Sequence, residues 1–278
     1  MYPIIFEVGP FTLRTFGLFF ALGFATSIWV VLRRSKRWGF PVDPILTLCF
    51  LLIFAGVIGA RLAYVFMHIP EFQGRWLTAI NPFAGEQFGL AGLNLYGGIV
   101  LSLFVALWYA RRQNLPILGT LDLLAPGAAM GIFVARWGCF FNGCCYGIPT
   151  NLPWGISFPQ GTLPHYVYGT QHLHPAQIYS SLYGLLLFFP AIYIDNRKRW
   201  FGFTVAIFLM AESTLRTLIE PLRYYEGAMH FTAFGAGFTY NELISVFLFT
   251  FGLVLLVWYL PRYGQKAEFQ KLTFGKKK

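Results

Sequence analysis

About seven apolar runs, each close to the length of one bilayer crossing, leave this chain few ways to fold. A helix crosses the hydrocarbon core with roughly 17 to 25 apolar residues. Runs of that kind lie at about Thr12 to Leu32, Pro44 to Met67, Gly92 to Ala110, Leu121 to Phe141, Pro175 to Ile194, Phe201 to Leu218 and Phe238 to Leu260. Of 278 residues, 56% are hydrophobic and 12% charged, more apolar surface than a water-soluble core of this size can use. The expectation is an all-α integral membrane protein with seven transmembrane helices. It forms a single transmembrane domain over residues 1–278, with a basic tail over 261–278. No basic segment or small-residue cleavage site precedes the first run, which is therefore expected to stay in the membrane and not be removed as a signal peptide.

The basic residues set the orientation. Arg33, Arg34, Lys36 and Arg37 follow the first run, Arg111 and Arg112 the third, and Arg197, Lys198 and Arg199 the fifth. Arg262, Lys266, Lys271, Lys276, Lys277 and Lys278 follow the seventh. By the positive-inside rule these segments are cytoplasmic, with the amino terminus outside and the carboxyl terminus inside. A formal charge of +10 is common among nucleic-acid binders, but here the cations lie in short clusters between apolar runs and form no single basic face. No nucleic-acid partner is expected.

Every lysine falls in those cytoplasmic segments. The other basic residues are all arginines: Arg14, Arg61, Arg75, Arg136, Arg216 and Arg223. Each is expected outside the membrane or in the outward half of a span. Arg14 reads as an interfacial anchor, whereas Arg61, Arg136 and Arg216 sit near the outer ends of the second, fourth and sixth helices. A guanidinium inside a membrane helix is costly and needs a functional or interfacial reason. Its planar fork of donors matches a phosphate, which lysine does not. Arginines at one depth, opening to the outer leaflet, predict a site for a lipid phosphate.

Arg136 opens the most unusual segment, Ala-Arg-Trp-Gly-Cys-Phe-Phe-Asn-Gly-Cys-Cys-Tyr-Gly at 135–147. Upstream, Gly127, Gly131, Ala135, Cys139 and Gly143 recur every four residues, a small-residue ridge suited to close helix packing. Gly56, Gly59 and Ala60 beside Arg61, and Gly97-Gly98 after Tyr96, suggest a second close approach. Cys139, Cys144 and Cys145 stand before a loop holding His165, His172 and His174. Their spacing is not the paired Cys-x-x-Cys of a zinc site, so small-residue packing is the preferred reading, a disulfide the next and a metal site the last. The external loops, rich in Gly and Pro, are expected to form a small cap.

His174-Pro175-Ala176-Gln177-Ile178-Tyr179 marks a helix start with proline near its first turn, placing His174 and Gln177 at the outer surface. Glu212, Arg216, Glu220 and Arg223 follow at intervals of about four, four and three residues, which puts them on one helical face until Pro221 ends or kinks the helix.

Taken together, the runs Gly9-Pro10 to Gly17, Tyr96-Gly97-Gly98, Ala135 to Gly147, His174 to Tyr179 and Arg216 to Arg223 resemble the prolipoprotein diacylglyceryl transferase family, in that family's order and over nearly the whole chain. The resemblance implies a bacterial inner-membrane enzyme whose site faces the periplasm. Such an enzyme moves diacylglycerol from phosphatidylglycerol to the lipobox cysteine of a preprolipoprotein signal peptide, forming a thioether and releasing glycerol phosphate. Carried over residue by residue, it implies that Arg136 binds the headgroup, that Arg216 is a second essential arginine, and that Glu220 and Arg223 are the acid and base that follow it. Asn142, Gly143 and Gly147 match the family segment. This chain departs from the pattern at Tyr96, where the family has His; at Cys139 and Cys144, where it has Asn and Glu; at Phe16, where it has Tyr; and at Ser180, where it has Glu.

The expected catalytic residues are thus Arg136, Arg216, Tyr96 and His174. Arg136, Arg61, Asn142, Gly143, Gln177, Glu220 and Arg223 are expected to bind substrate. Guanidiniums aimed at the departing phosphate stabilise the charge that develops there, and His174 or Tyr96 takes the thiol proton. No cofactor or metal is expected, and the partners are phosphatidylglycerol, lipobox signal peptides and membrane lipids. The rival readings are a membrane thiol oxidoreductase using the cysteines and an anionic-lipid transporter using the arginines.

Overall fold

The structure is a computed structural model that describes residues 4–8, 11–72, 74, 94–197, 200–225, 230–233, 236–263 and 266. It is a helical, multi-pass membrane protein. A two-stranded sheet of β1 (Ile4–Val8) and β2 (Phe11–Arg14) leads into α1 (Thr15–Trp38), α2 (Val42–Met67) and a short α3 (Ile69–Phe72). There follow α4 (Leu95–Arg112), α5 (Ile117–Asn142), a short α6 (Leu163–Tyr168), α7 (Ala176–Asp195) and α8 (Phe203–Ile219), which ends in a 3-10 turn at Glu220–Leu222. The antiparallel pair β3 (His230–Ala233) and β4 (Ala236–Thr239) precedes α9 (Tyr240–Val254), which continues through a π-helical turn, Leu255–Tyr259, into α10 (Leu260–Tyr263).

A long helix occurs at each expected run. Five are long and apolar enough to cross a membrane: Thr15–Trp38, Val42–Met67, Ile117–Asn142, Ala176–Asp195 and Tyr240–Arg262. The outer faces agree with a lipid environment. Phe54, Ile58, Leu62 and Phe66 of α2 recur every four residues and are 53% to 77% exposed, an apolar stripe that water would not tolerate.

The first expected run is displaced. Residues 11–14 pair as a strand, so α1 begins at Thr15 and not at Thr12, and it runs on to Trp38. Arg33, Arg34, Lys36 and Arg37 therefore belong to its last turns, where cations suit the negative end of the helix dipole. Pro221 also acts as expected: the α-helix stops at Ile219. This corrects the single helical face at Arg223, whose backbone is extended, whereas Glu220 keeps helical backbone and pairs with Arg216 one turn earlier. The Gly9-Pro10 turn, Arg75, Glu86, the Gly92 start of the third run, Lys198, Arg199 and the last lysines lie outside the described residues.

The chain divides into two compact units. The smaller has its body in Leu32–Thr120. Its α2 and α4 touch through glycine: a Cβ on Gly59 would stand 2.4 Å from the Gly97 carbonyl oxygen, and one on Gly98 2.7 Å from that of Gly56. Such small-residue contacts let membrane helices approach closely, as the sequence suggested.

The larger unit holds Arg14–Val31 and Leu121–Glu268. There the small-residue ridge of α5 packs on α1. Ser27 Oγ donates to the Gly127 carbonyl at 2.8 Å, and a Cβ on Gly23 would lie 3.4 Å from the Gly131 oxygen and 3.7 Å from Ala135 Cβ. On its other side α5 meets α7, where Ser181 Oγ donates to the Phe133 carbonyl at 2.8 Å and Gly184 leaves room for the Phe133 backbone.

Candidate active site

Two helices whose starts are tied together carry the main arginines of the larger unit. Asp122, fully buried near the start of α5, accepts the backbone N–H groups of Gly202 and Val205 at 2.8 Å each, at the start of α8. Those N–H groups have no partner inside α8, so the carboxylate caps it from a neighbouring helix. About fourteen residues run from Asp122 to Arg136 and about fourteen from Gly202 to Arg216. At 1.5 Å per residue, both arginine Cα atoms stand roughly 21 Å from the shared pin. The two arginines thus stand at similar distances from one fixed point, and both act electrostatically on Glu212 and on Arg223.

Arg216 is tightly held. Its Nη2 donates to the Tyr225 hydroxyl at 2.7 Å, and its Nη1 forms an ion pair with Glu220 Oε2 at 2.7 Å without hydrogen-bond alignment. Tyr225 in turn donates to Glu220 Oε2 at 3.0 Å. Thr239 Oγ1 and Asn241 Nδ2 donate to Oε1 at 2.7 and 3.0 Å. The carboxylate is thus filled by protein donors from three elements. Thr239 is also the N-cap of α9, in a capping box with Glu242, which fixes the donor that reaches Glu220.

Arg136 lies against Tyr183 of α7 and within electrostatic reach of Cys139 and Cys145. Arg223 feels both Arg216 and Arg136. Burial first, then those two like charges, make its charged form less favourable than an ordinary arginine's. Its Nε is buried without a hydrogen-bond partner among the described residues, and its guanidinium carbon sits 5.1 Å from the Tyr225 ring centre. Burial likewise pushes the Tyr225 phenol up, against the pull of Arg223 and Arg216, so it stays a neutral donor. Glu212 of α8 also lies within electrostatic reach of Arg216 and Arg136, so three guanidiniums stand against two carboxylates; the balance is still positive, and the unspent N–H groups suit an anion with several oxygens.

The segment after α5 is strapped to Arg223. Gly147 forms a β-bridge with Arg223, Ile148 N–H donates to Leu222 O at 3.1 Å, and Tyr224 N–H donates to Tyr146 O at 3.1 Å. From the other side Gly147 N–H donates to His174 O at 3.0 Å. Gly147 is caught between them: a Cβ there would stand 2.5 Å from both His174 Cβ and Leu222 O. Tyr146, Phe158 and Leu173 form a buried cluster beneath, with Tyr146 stacked on Tyr224 at 5.3 Å. His174 is buried, its Nδ1 3.2 Å from the Tyr179 hydroxyl, which also accepts from Trp154 Nε1 at 2.8 Å. Gln177, fully buried, donates through Nε2 to the Cys144 carbonyl at 2.9 Å, and its Oε1 has no partner among the described residues.

Asn142 is the last residue of α5, and Gly143 takes φ 73° to turn the chain back. That turn gathers the three cysteines. The Sγ atoms of Cys139, Cys144 and Cys145 lie within 4.8 Å of one another, and all three thiols are free. Hydrogen bonds from the Cys139 and Cys144 thiols, then the charges of Arg136 and Arg223, hold the Cys145 thiol below the ordinary range, while the bond to Cys139 pushes Cys144 up.

Arg61 and Tyr96 belong to the smaller unit. The Arg61 guanidinium stands 5.6 Å from the Tyr64 ring and 5.4 Å from the Phe72 ring. Tyr96 opens α4, whose first N–H groups at Tyr96 and Gly97 are capped by the Asn94 side chain. Asn94 N–H donates to the Ala60 carbonyl at 3.0 Å, so Arg61 and Tyr96 share one end of the α2–α4 pair.

A family model described as prolipoprotein diacylglyceryl transferase matches residues 3–258. The chain belongs to that family. Among curated relatives, the phosphatidylglycerol--prolipoprotein diacylglyceryl transferase of Vibrio atlanticus (strain LGP32) is 28% identical over 274 residues, 98% of this chain and 95% of the relative. Its namesake from Clostridium tetani (strain Massachusetts / E88) is 30% identical over 223 residues, 80% of this chain and 86% of the relative. Within this diacylglyceryl transferase family, the departures noted above have structural places. Phe16 stacks on Phe20 and backs Gly138, Ser180 is buried in α7, and Cys139 and Cys144 enter the thiol cluster.

Sequence reasoning missed Asp122, Tyr183, Tyr225, Thr239 and Asn241. Tyr183 was within reach, since Ala176, Ser180, Tyr183 and Leu187 follow helical spacing and form one buried face. Tyr225, Thr239 and Asn241 carry no local signal, because they meet Glu220 only through the tertiary fold.

Proposed function

We propose that this chain transfers the diacylglyceryl group of phosphatidylglycerol to the thiol of a lipobox cysteine, forming a thioether and releasing glycerol phosphate. The observation that carries the reading is the gathering of Arg136, Arg216 and Arg223 from separate elements, with an Nε on Arg223 that is buried without a hydrogen-bond partner among the described residues. The phosphate of the lipid headgroup binds the Arg136 and Arg216 guanidiniums, with Arg223 closing a third side. As the thiolate attacks the glycerol carbon, the C–O bond breaks and negative charge builds on the departing phosphate, where fixed cations help most. Glu220 acts through Arg216, which it orients. Family membership and relatives named for this donor and acceptor support the same chemistry.

His174 takes the thiol proton, held in place by Tyr179, while Asn142, Gly143 and Gln177 line the substrate path of the larger unit. All seven long helices cross the bacterial inner membrane, with the amino terminus and the arginines on the periplasmic side. Between α8 and α9 a groove of about 290 Å³ is lined by Ser213, Thr217, Leu218, Val246 and Phe249. Ser213, Thr214 and Thr217 spend their hydroxyls on carbonyls of α8, so that wall of the groove presents mainly hydrocarbon, a lane for an acyl chain beside Arg216.

Purified protein incubated with phosphatidylglycerol and a lipobox peptide should add the mass of diacylglycerol to the peptide cysteine. A folded, lipid-binding protein that leaves both unchanged overturns the reading.

A further inference from the structure

We propose that Cys139, Cys144 and Cys145 form a three-thiolate site for zinc whose fourth position receives the acceptor cysteine. The inference rests on the transferase reading for the acceptor and on the cluster alone for the metal. In tetrahedral zinc with Zn–S near 2.3 Å, ligand sulfurs stand roughly 3.8 Å apart. The three Sγ atoms already lie within 4.8 Å of one another, so an adjustment of about one ångström closes the site.

The backbone is shaped for this convergence. Cys139 lies in the last turn of α5, Gly143 turns back at φ 73°, and Cys145 is held at φ 59°, a conformation rare for a residue with a side chain. Cys144 N–H donates to the Cys139 carbonyl at 3.1 Å, closing the turn, and Gln177 Nε2 holds the Cys144 carbonyl. Packing alone calls for no such conformation at Cys145. Among the described residues the cluster contains no imidazole or carboxylate. Three protein ligands with an open position are the pattern of a catalytic zinc and not of a structural one. Arg136 and Arg223 stand within electrostatic reach of Cys145 and offset the anionic zinc–thiolate group.

The chemistry fits the transfer. An acceptor thiol that binds zinc releases its proton to solvent or to a nearby base, and its sulfur remains nucleophilic as a metal-bound thiolate. That sulfur forms the new S–C bond to glycerol, the C–O bond to phosphate breaks, and the electron pair leaves with glycerol phosphate beside the arginines. No oxidant or reductant enters. The ion would hold the acceptor next to the phosphate clamp and ionise it.

The test uses the full chain in detergent under reducing conditions, with metal content read by elemental analysis. About one zinc per chain is expected, lost in each of Cys139→Ser, Cys144→Ser and Cys145→Ser and retained in Cys49→Ser. Cobalt in place of zinc should give sulfur-to-metal charge-transfer bands that change on adding a lipobox peptide, but not its Cys→Ser analogue. Wild-type protein stripped of zinc should lose melting temperature and regain it with zinc, which guards against variants that merely misfold. The proposal is overturned by reduced wild type that binds neither ion, by a triple serine variant that keeps zinc, or by thiol mapping that finds a disulfide within the trio in protein isolated without reductant. Cobalt bands indifferent to the peptide overturn the acceptor position. Full transfer by zinc-free protein sinks this proposal alone, whereas zinc-loaded protein that transfers nothing sinks the transferase reading alone.

Discussion

Arg216 Nη1 lies 2.7 Å from Glu220 Oε2, with the carboxylate almost wholly buried and the guanidinium side chain 14% exposed. The pair spans the point where Pro221 stops α8, so a helix end, a 3-10 turn and the start of α9 all converge on one carboxylate. Its four contacts make Glu220 a positioning group for Arg216.

Glu220→Gln should therefore injure both stability and activity. Removing one partner of a buried ion pair costs about 3 to 5 kcal/mol, because the other charge is left uncompensated. Tyr225→Phe, which removes one hydrogen bond to each member, should cost only about 1 kcal/mol. Thermal unfolding in detergent checks the order. Equal melting temperatures for the two variants would contradict it.

Arg136→Lys and Arg216→Lys should fold yet transfer poorly. Each replaces a planar fork by a point charge, and loss of one fixed donor to a developing oxyanion lowers kcat by roughly 100- to 1,000-fold. The loss should appear in kcat more than in KM for phosphatidylglycerol. A variant with unchanged kcat would remove that arginine from the phosphate clamp.

The legible part of this protein was what local sequence spacing encodes. Apolar runs marked the long helices, Gly59 and Gly97 announced a close helix contact, and Pro221 marked the end of α8. The cluster of arginines was legible because guanidiniums are rare in apolar helices. The thiol cluster was not, because its spacing matched no common metal pattern. Two left-handed residues, Gly143 and Cys145, create the convergence, and a non-glycine residue at positive φ is not announced by its own identity. Asp122 was hidden for a different reason. It sits about eighty residues before the helix it caps.

Gly147→Ala should be far worse than its single added methyl suggests. The new Cβ would stand 2.5 Å from His174 Cβ and from Leu222 O, with backbone strapped on both sides. Overpacking of this kind costs about 1 to 3 kcal/mol, and relief by separating the straps would also move Arg223. Gly17→Ala is the control. Its Cβ meets nothing within 4 Å, so a helix former there should leave the melting temperature unchanged or slightly raised. Transfer rates should fall only for the Gly147 variant.

Asp122 offers the sharpest separation of position from chemistry. It stands roughly 21 Å along α5 from Arg136, yet it fixes where α8 begins and hence the height of Arg216. Its two oxygens serve different donors, Oδ2 the Gly202 N–H and Oδ1 the Val205 N–H. Asp122→Asn keeps one acceptor and Asp122→Ala keeps neither, so the losses should be graded, about 1.5 to 3 kcal/mol per charged hydrogen bond removed. Activity should follow the same order, with kcat falling most in the alanine variant, because α8 is then free to shift along its axis and carry Arg216 away from Arg136. If the alanine variant melts lower but keeps its full kcat, the two arginines do not depend on a common fixed point and the pin serves stability alone.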